Sequence, residues 1–353
     1  MRNPVMPFPK HVVPSVILAA SFALAGCSTH GPRPSATRGA SVLREADTFE
    51  AGRTIGVQRG AYHGWKDAVF VSNGKVSAVV VPVVGRVMQF KFAGESTGPF
   101  WENAALAGKF GDARAKKWQN IGGDKSWPAP ESDWPKVAGL KWLPPLAFDA
   151  LPRSVRVHGN VVTLVSPVDR DFGIRVMRRI ELAANQPVMR ITTTYEKISG
   201  SPRRAGIWVI SQFKDPVAVF APVPARSAFS SGYEIRGGEV PPSLSHRNGL
   251  ISLRRDPKKS HKIGNDADRL VWIGENWAAK VESPRVTGVE YPDHGCSAEI
   301  YTNPNPLEYV ELELLGPLRT LKPGDKISRT VTYTLYRRTH ADPAIEARAI
   351  LAR

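Results

Sequence analysis

Glu311 and Glu313 stand two apart in the otherwise apolar run Tyr309-Val-Glu-Leu-Glu-Leu-Leu315. Alternate residues of a strand point to one side, so both carboxylates share a face with Tyr309 and Leu315, opposite Val310, Leu312 and Leu314. Carboxylates paired on such a strand either meet solvent or line a cleft, where they can take protons and bind hydroxyls. A second stretch, Asn120-Ile-Gly-Gly-Asp-Lys-Ser-Trp-Pro-Ala-Pro-Glu-Ser-Asp-Trp134, gathers carboxylate, ammonium and indole groups. Pro128 and Pro130 cannot donate backbone hydrogen bonds and push their predecessors extended, while Gly122 and Gly123 permit positive φ. The composition predicts a rigid, irregular loop presenting Asp124, Lys125, Trp127, Glu131 and Trp134. Indole faces beside fixed charges suit a sugar ring, which offers C–H faces and many hydroxyls.

His294, in Tyr291-Pro-Asp-His-Gly-Cys296, is the histidine best placed for proton transfer, with Asp293 beside it favouring the imidazolium. His63, His158, His246 and His261 have no supporting motif. Asp293, Glu299 and the Lys262–Asn265 segment are weaker candidates for the same cleft. No His/Cys cluster has metal-ligand spacing, so neither a metal nor a cofactor is expected.

The elements that position these residues read as strands. Ala68–Ser72 and Lys75–Pro82 flank Asn73-Gly74, the signature of a type I′ hairpin. Gly85–Phe92 alternates, with Met88, Phe90 and Phe92 on one side. Trp101–Gly108 predicts a short helical turn, and the proline-broken Trp142–Phe148 no regular structure. Strands resume at Ser154–His158, Val161–Val168, Gly173–Leu182, Val188–Lys197, Ala205–Phe213 and Val217–Phe220. They continue at Leu250–Leu253, Leu270–Gly274, Ala278–Glu282, Ala298–Thr302, Tyr309–Leu315 and Lys326–Tyr336. Only the tail reads as helix, with Asp342 as N-cap and Pro343 at the first turn of Ala344–Ala352. Many strands joined by short turns predict an all-β, antiparallel two-sheet sandwich, larger than an immunoglobulin-type domain. The expected organisation is a leader over 1–26, a tether over 27–50, one sandwich over 51–340 and a helical tail over 341–353.

The start of the chain carries its own signal. A basic opening and the apolar run Val12–Ala25 end in Leu24-Ala25-Gly26-Cys27, which resembles a bacterial lipoprotein signal and is too short for a membrane span. The resemblance implies lipidation of Cys27 and, with Ser28 following, anchoring in the outer membrane, facing the periplasm. Cys296 would then be unpaired and buried as a small hydrophobe. Net charge is +16, lower by two once Arg2 and Lys10 leave with the signal. That excess suits anionic headgroups or acidic glycans, or simply guards strand edges. The compartment and the lack of any nucleic-acid motif argue against nucleic acid as a partner.

Three segments together resemble the galactose mutarotase-like (aldose epimerase) superfamily, and within it the bacterial DUF4380 proteins. They are Asn73–Phe92 with its V-x-P-x-x-G-R-V-M-x-F, the stretch Gly122-Gly-Asp-Lys-Ser-Trp-Pro-Ala-Pro-Glu131, and Tyr309–Gly324 with the closing strand. The resemblance implies a β-supersandwich that binds a saccharide, and aldose 1-epimerase chemistry with a glutamate base and an acid at the ring oxygen. By motif position it places the base at Glu313, with Glu311 second, and Arg86 near the sugar. The family's ring-oxygen histidine has no counterpart in Ala205–Phe213, where Trp208, Ser211 and Gln212 stand instead. Lys125 could supply that proton, although an exposed ammonium is far from an ideal acid. The missing histidine favours a non-catalytic glycan-binding role as the alternative, and the basic faces suit a structural envelope role resting on anionic lipid or polysaccharide.

Overall fold

The pattern of burial along each strand separates two kinds of strand in the computed structural model, which describes residues 55–112, 117–139 and 143–353. The expected signal, the tether and Cys27 lie outside the described residues. The first strands are β1 (Gly56–Tyr62), β2 (Trp65–Ser72), β3 (Val76–Val81), β4 (Arg86–Phe92) and β5 (Asp124–Ala129). Two short helices, α1 (Trp134–Ala138) and α2 (Leu146–Asp149), precede β6 (Ser154–His158), β7 (Val161–Val168), β8 (Ile174–Leu182) and β9 (Val188–Lys197). Then come β10 (Arg203–Lys214), β11 (Ala218–Pro222), β12 (Glu234–Gly237), β13 (Ser245–Arg247), β14 (Leu250–Leu253) and β15 (His261–Asn265). The last are β16 (Arg269–Ile273), β17 (Trp277–Glu282), β18 (Ala298–Thr302), β19 (Tyr309–Leu315), β20 (Arg319–Leu321), β21 (Lys326–Arg337) and the helix α3 (Pro343–Leu351).

All strand pairs are antiparallel, in two sheets. One runs β1-β2-β3-β4-β5-β10-β19-β18-β15-β12, with β20 on the end of β10; the other runs β13-β14-β11-β16-β17-β21-β9-β8-β7-β6. In the second sheet β8, β9 and β21 alternate between buried and more exposed residues, one face packed and one wet. In the first sheet β5 and β19 are buried at every position and β10 over its middle. Its outer face is therefore covered, and the glutamates of β19 are not on a solvated wall.

Between the sheets a polar seam crosses the apolar packing. Asp124 receives Arg178 from β8, Ser211 from β10 and Tyr333 from β21, and Ser126 meets the Tyr195 hydroxyl of β9 at 2.9 Å. Burial holds the phenols of Tyr195 and Tyr333 above their ordinary range, so both stay protonated donors. Three other expectations need correction. Only Gly74 of the first hairpin takes positive φ, at 81°, so the turn is not type I′. Instead Asn73 Oδ1 accepts from the N–H groups of Lys75 and Val76, an Asx turn. The passage before Phe148 was expected irregular, yet Leu146–Asp149 forms a helical turn opened by Pro145. The predicted Asn120–Trp134 loop holds strand β5 over Asp124–Ala129 and a 3-10 turn over Glu131–Asp133. Beyond the single pair Val87↔Asp124 that strand has no partner on its β4 side, so Pro128 costs no ladder bond there.

Candidate functional site on the covered face of the first sheet

Registers bring the site together. Trp127 lies opposite Trp208, and Lys125 opposite Ile210; Glu313 lies opposite Ile210 from the other side, and Glu311 opposite Gln212. Glu299 and Tyr301 of β18 face Glu313 and Glu311, and Lys262 of β15 faces Tyr301. Directly paired residues share a face, so five adjacent strands present one polar surface turned away from the second sheet.

Two lysine–glutamate units occupy it. Lys125 donates from Nζ to Glu311 Oε1 at 3.1 Å, and Gln212 Nε2 donates to the same oxygen at 2.9 Å. Lys262 donates to Glu313 Oε2 at 2.9 Å and stands 2.7 Å from Glu299. Trp208 Nε1 donates to that same Glu313 oxygen at 2.7 Å. Glu313 Oε1 and Gln212 Oε1 are left buried without a hydrogen-bond partner. Two acceptors without donors in a closed site are open places for ligand hydroxyls.

Burial sets the proton affinities. Glu313, 1 % exposed, is pushed up to about 8, chiefly by loss of water and against the pull of Lys262. Glu299 moves the same way for the same reason. Two carboxylates sharing one ammonium cannot both ionise easily, while Lys262 itself is held well above the usual lysine range by them. Lys125 goes in the opposite direction: burial lowers it, with Glu311 opposing. The expectation of an exposed, poorly acidic Lys125 is thus corrected. It is buried, and its ammonium is a readier proton donor than a solvated lysine.

The structure redistributes the remaining candidates. Asp124 is wholly buried and turned into the inter-sheet seam, away from this face. Trp134 is wholly buried, its Nε1 donating to the Pro128 carbonyl at 2.8 Å. Trp127 offers no open face for stacking. Trp118, Trp134 and Trp208 meet it edge-on at 5.4, 5.7 and 5.5 Å, and the Lys125 ammonium sits 4.9 Å from its centroid. Arg86 is buried too, donating to the Gly122 carbonyl and to Asp149 at 2.6 Å. Glu131 is exposed at the rim, its affinity for protons raised by partial loss of water and by nearby Asp293, Glu299 and Glu311 against the pull of Lys262. Asp293 pairs with Arg236 at 2.9 Å, and Arg236 Nε reaches to 3.6 Å from Glu299. His294 is exposed, takes φ 58° and pairs with Glu234 at 2.7 Å; it belongs to the rim, linked to Glu299 through Arg236, which stands 3.2 Å from its Nδ1.

Sequence reasoning missed Asp149 and Trp118. Asp149 accepts from Arg86, from Trp127 Nε1 at 2.9 Å and from Trp118 Nε1 at 3.1 Å, fixing the aromatic wall. Its place after a proline-rich passage gave no periodic signal. The carboxylates around the face, Glu131, Asp293, Glu299, Glu311 and Glu313, outnumber the cations Lys125, Arg236 and Lys262, so the chain's basic excess lies elsewhere. Among the described residues no group of His, Cys, Asp and Glu side chains could hold a metal ion.

This arrangement sits on a known fold. Among solved structures the chain is similar to a galactose mutarotase-like protein from Lactobacillus casei, 11% identical over 76% of this chain and 100% of that one, TM-score 0.52. A candidate aldose 1-epimerase from Escherichia coli K12 matches at 12% identity over 76% of this chain and 98% of that one, TM-score 0.51. A TPR-domain containing protein from Parabacteroides distasonis matches at 12% identity over 78% of this chain but 48% of that one, TM-score 0.52. No protein-family model matches the chain, and no curated protein matches it in sequence. At these identities the likeness is one of fold, and the fold is the galactose mutarotase-like β-sandwich. The DUF4380 likeness rests on the three sequence segments alone.

Proposed function

We propose that the covered face of the first sheet binds a saccharide and interconverts its anomers. The observation that carries this reading is the free, buried Glu313 Oε1, held by Lys262 and Trp208 through the other oxygen. Glu313 would take the proton of the anomeric hydroxyl while the Lys125 ammonium donates one to the ring oxygen. The C1–O5 bond breaks, the open aldehyde turns, and reclosure returns both protons. Lys125 and Glu313 flank Ile210 from neighbouring strands, placing their backbones about 10 Å apart on one face. Glu311 would restore and orient the ammonium. Gln212 Oε1 would accept a hydroxyl, and the half-buried Trp118 and Tyr301 would border the ring.

Proton NMR or polarimetry on freshly dissolved aldoses tests the activity, and titration tests binding. Wild-type acceleration of anomer exchange, abolished in Glu313→Gln with binding kept, is the expected result. A second reading, glycan binding without turnover, is favoured by the lack of histidine on β5, β10 and β19. It predicts binding with no acceleration by the wild type. We also propose, from Leu24-Ala25-Gly26-Cys27, that the domain is tethered to the outer membrane through lipid on Cys27; mass spectrometry of the native amino terminus tests it.

A further inference from the structure

On the far side of β10 from Glu313, a pocket of about 410 Å³ opens between the sheets, lined among others by Ile207, Ser283, Gly316, Arg319 and Arg329. Arg329 projects inward from β21 and is only 8% exposed. Its Nε and Nη2 have no hydrogen-bond partner, and Nη1 reaches the Pro284 carbonyl only at 3.5 Å. Among the described residues no carboxylate pairs with it, whereas Arg86 and Arg178 are buried against Asp149 and Asp124; Arg153, also buried without a carboxylate, instead donates to the Phe148 carbonyl at 2.6 Å. The Cδ of Arg329 packs against Gly316, where even an added methyl would stand 3.3 Å away. The Tyr291 hydroxyl lies beside the guanidinium, but no carboxylate does, so the group is seated by shape yet left without a counter-charge. A second cation, Arg285, lies close enough to disfavour its charge, and stacks at 4.2 Å on the ring of Tyr291. One nitrogen of Arg285 is likewise buried and partnerless. Exposed Arg319 adds a third positive group at the mouth.

A buried cation without a counter-charge is unfavourable, and a planar fork with two free N–H groups matches the geometry of an oxyanion. We infer that this pocket is an oxyanion-binding site, taking a phosphate, sulfate or carboxylate group on Arg329. The site is separate from the saccharide face and does not rest on that reading.

Titration calorimetry with inorganic phosphate and sulfate, at ionic strength held constant with chloride, tests it on the folded domain. Wild type should bind phosphate saturably. Arg329→Gln should weaken this about tenfold or more, Arg329→Lys should keep part of it, and Glu313→Gln should bind like the wild type. Glycerol 3-phosphate distinguishes a free anion from one borne on an organic body: tighter binding than phosphate marks the latter, equal or weaker binding the former, and either leaves the assignment standing. Absence of saturable phosphate binding by the wild type, or equal binding by folded Arg329→Gln and Arg329→Lys, overturns it. Loss in Glu313→Gln also overturns it, placing the anion on the other face.

Discussion

Lys125 Nζ lies 3.1 Å from Glu311 Oε1, although 186 positions of chain separate the two residues. Strand β10 runs between their strands and supplies Gln212 to the same carboxylate oxygen. Removing the ammonium leaves a carboxylate that is only 8% exposed without its ion partner. Lys125→Met should therefore lower unfolding free energy by about 3 kcal/mol, read by denaturant titration. It should also remove anomer exchange. A Lys125→Met protein as stable and as active as wild type would remove Lys125 from the site.

Activity should follow the ionisation of Glu313. The base works only when deprotonated and the acid only when protonated, so turnover at subsaturating sugar should climb with pH through about 8 and fall again where Lys125, its proton affinity lowered by burial, loses its proton. A flat profile from pH 5 to 9 would show that another group takes the proton.

Stability should follow the same group with the opposite sign. Its folded proton affinity is raised above the unfolded value, so Glu313 contributes most at low pH. That contribution is lost as pH rises from the ordinary glutamate range through about 8. Glu313→Gln cannot ionise. Melting temperatures at pH 5 and pH 9 should therefore differ less for this variant than for wild type.

Trp118 and Trp127 should separate binding from folding. Trp127→Ala empties a site packed on three other tryptophans and should cost about 3–5 kcal/mol. Trp118→Ala, at a half-buried position, should weaken sugar binding by titration while circular dichroism stays native. Equal loss of fold in both would assign Trp118 to the core.

The Asp124–Arg178 pair should behave as a structural bolt. Arg178→Met leaves Asp124 buried without its guanidinium and should destabilise by about 3–5 kcal/mol. Sugar affinity of the protein that remains folded should not change, because Asp124 faces the other sheet. A selective loss of affinity would return Asp124 to the binding surface.

Much of the fold was legible because strand periodicity is local. The limits of Ser154–His158, Val161–Val168, Val188–Lys197, Leu250–Leu253, Ala298–Thr302 and Tyr309–Leu315 coincide with those observed. The shared face of Glu311 and Glu313 also followed from alternation alone. Strand β5 was not legible. Pro128 and Pro130 signal a loop unless one knows that one edge of the strand is unpartnered, and that is a fact about β4. The same distance effect hid Asp149, whose role depends on Arg86, Trp118 and Trp127 arriving from other elements. It also hid the burial of Lys125, whose partners Trp118 and Glu311 arrive from other elements.

Strand β5 carries two duties on alternate residues. Lys125 and Trp127 serve the outer surface, while Asp124 and Ser126 fasten the two layers. One inserted or deleted residue in Asp124–Ala129 would exchange these roles wholesale, sending an ammonium into the seam and a carboxylate among the indoles. Homologous chains should therefore vary in side chain along this hexapeptide but keep its length, whatever their loops do on either side.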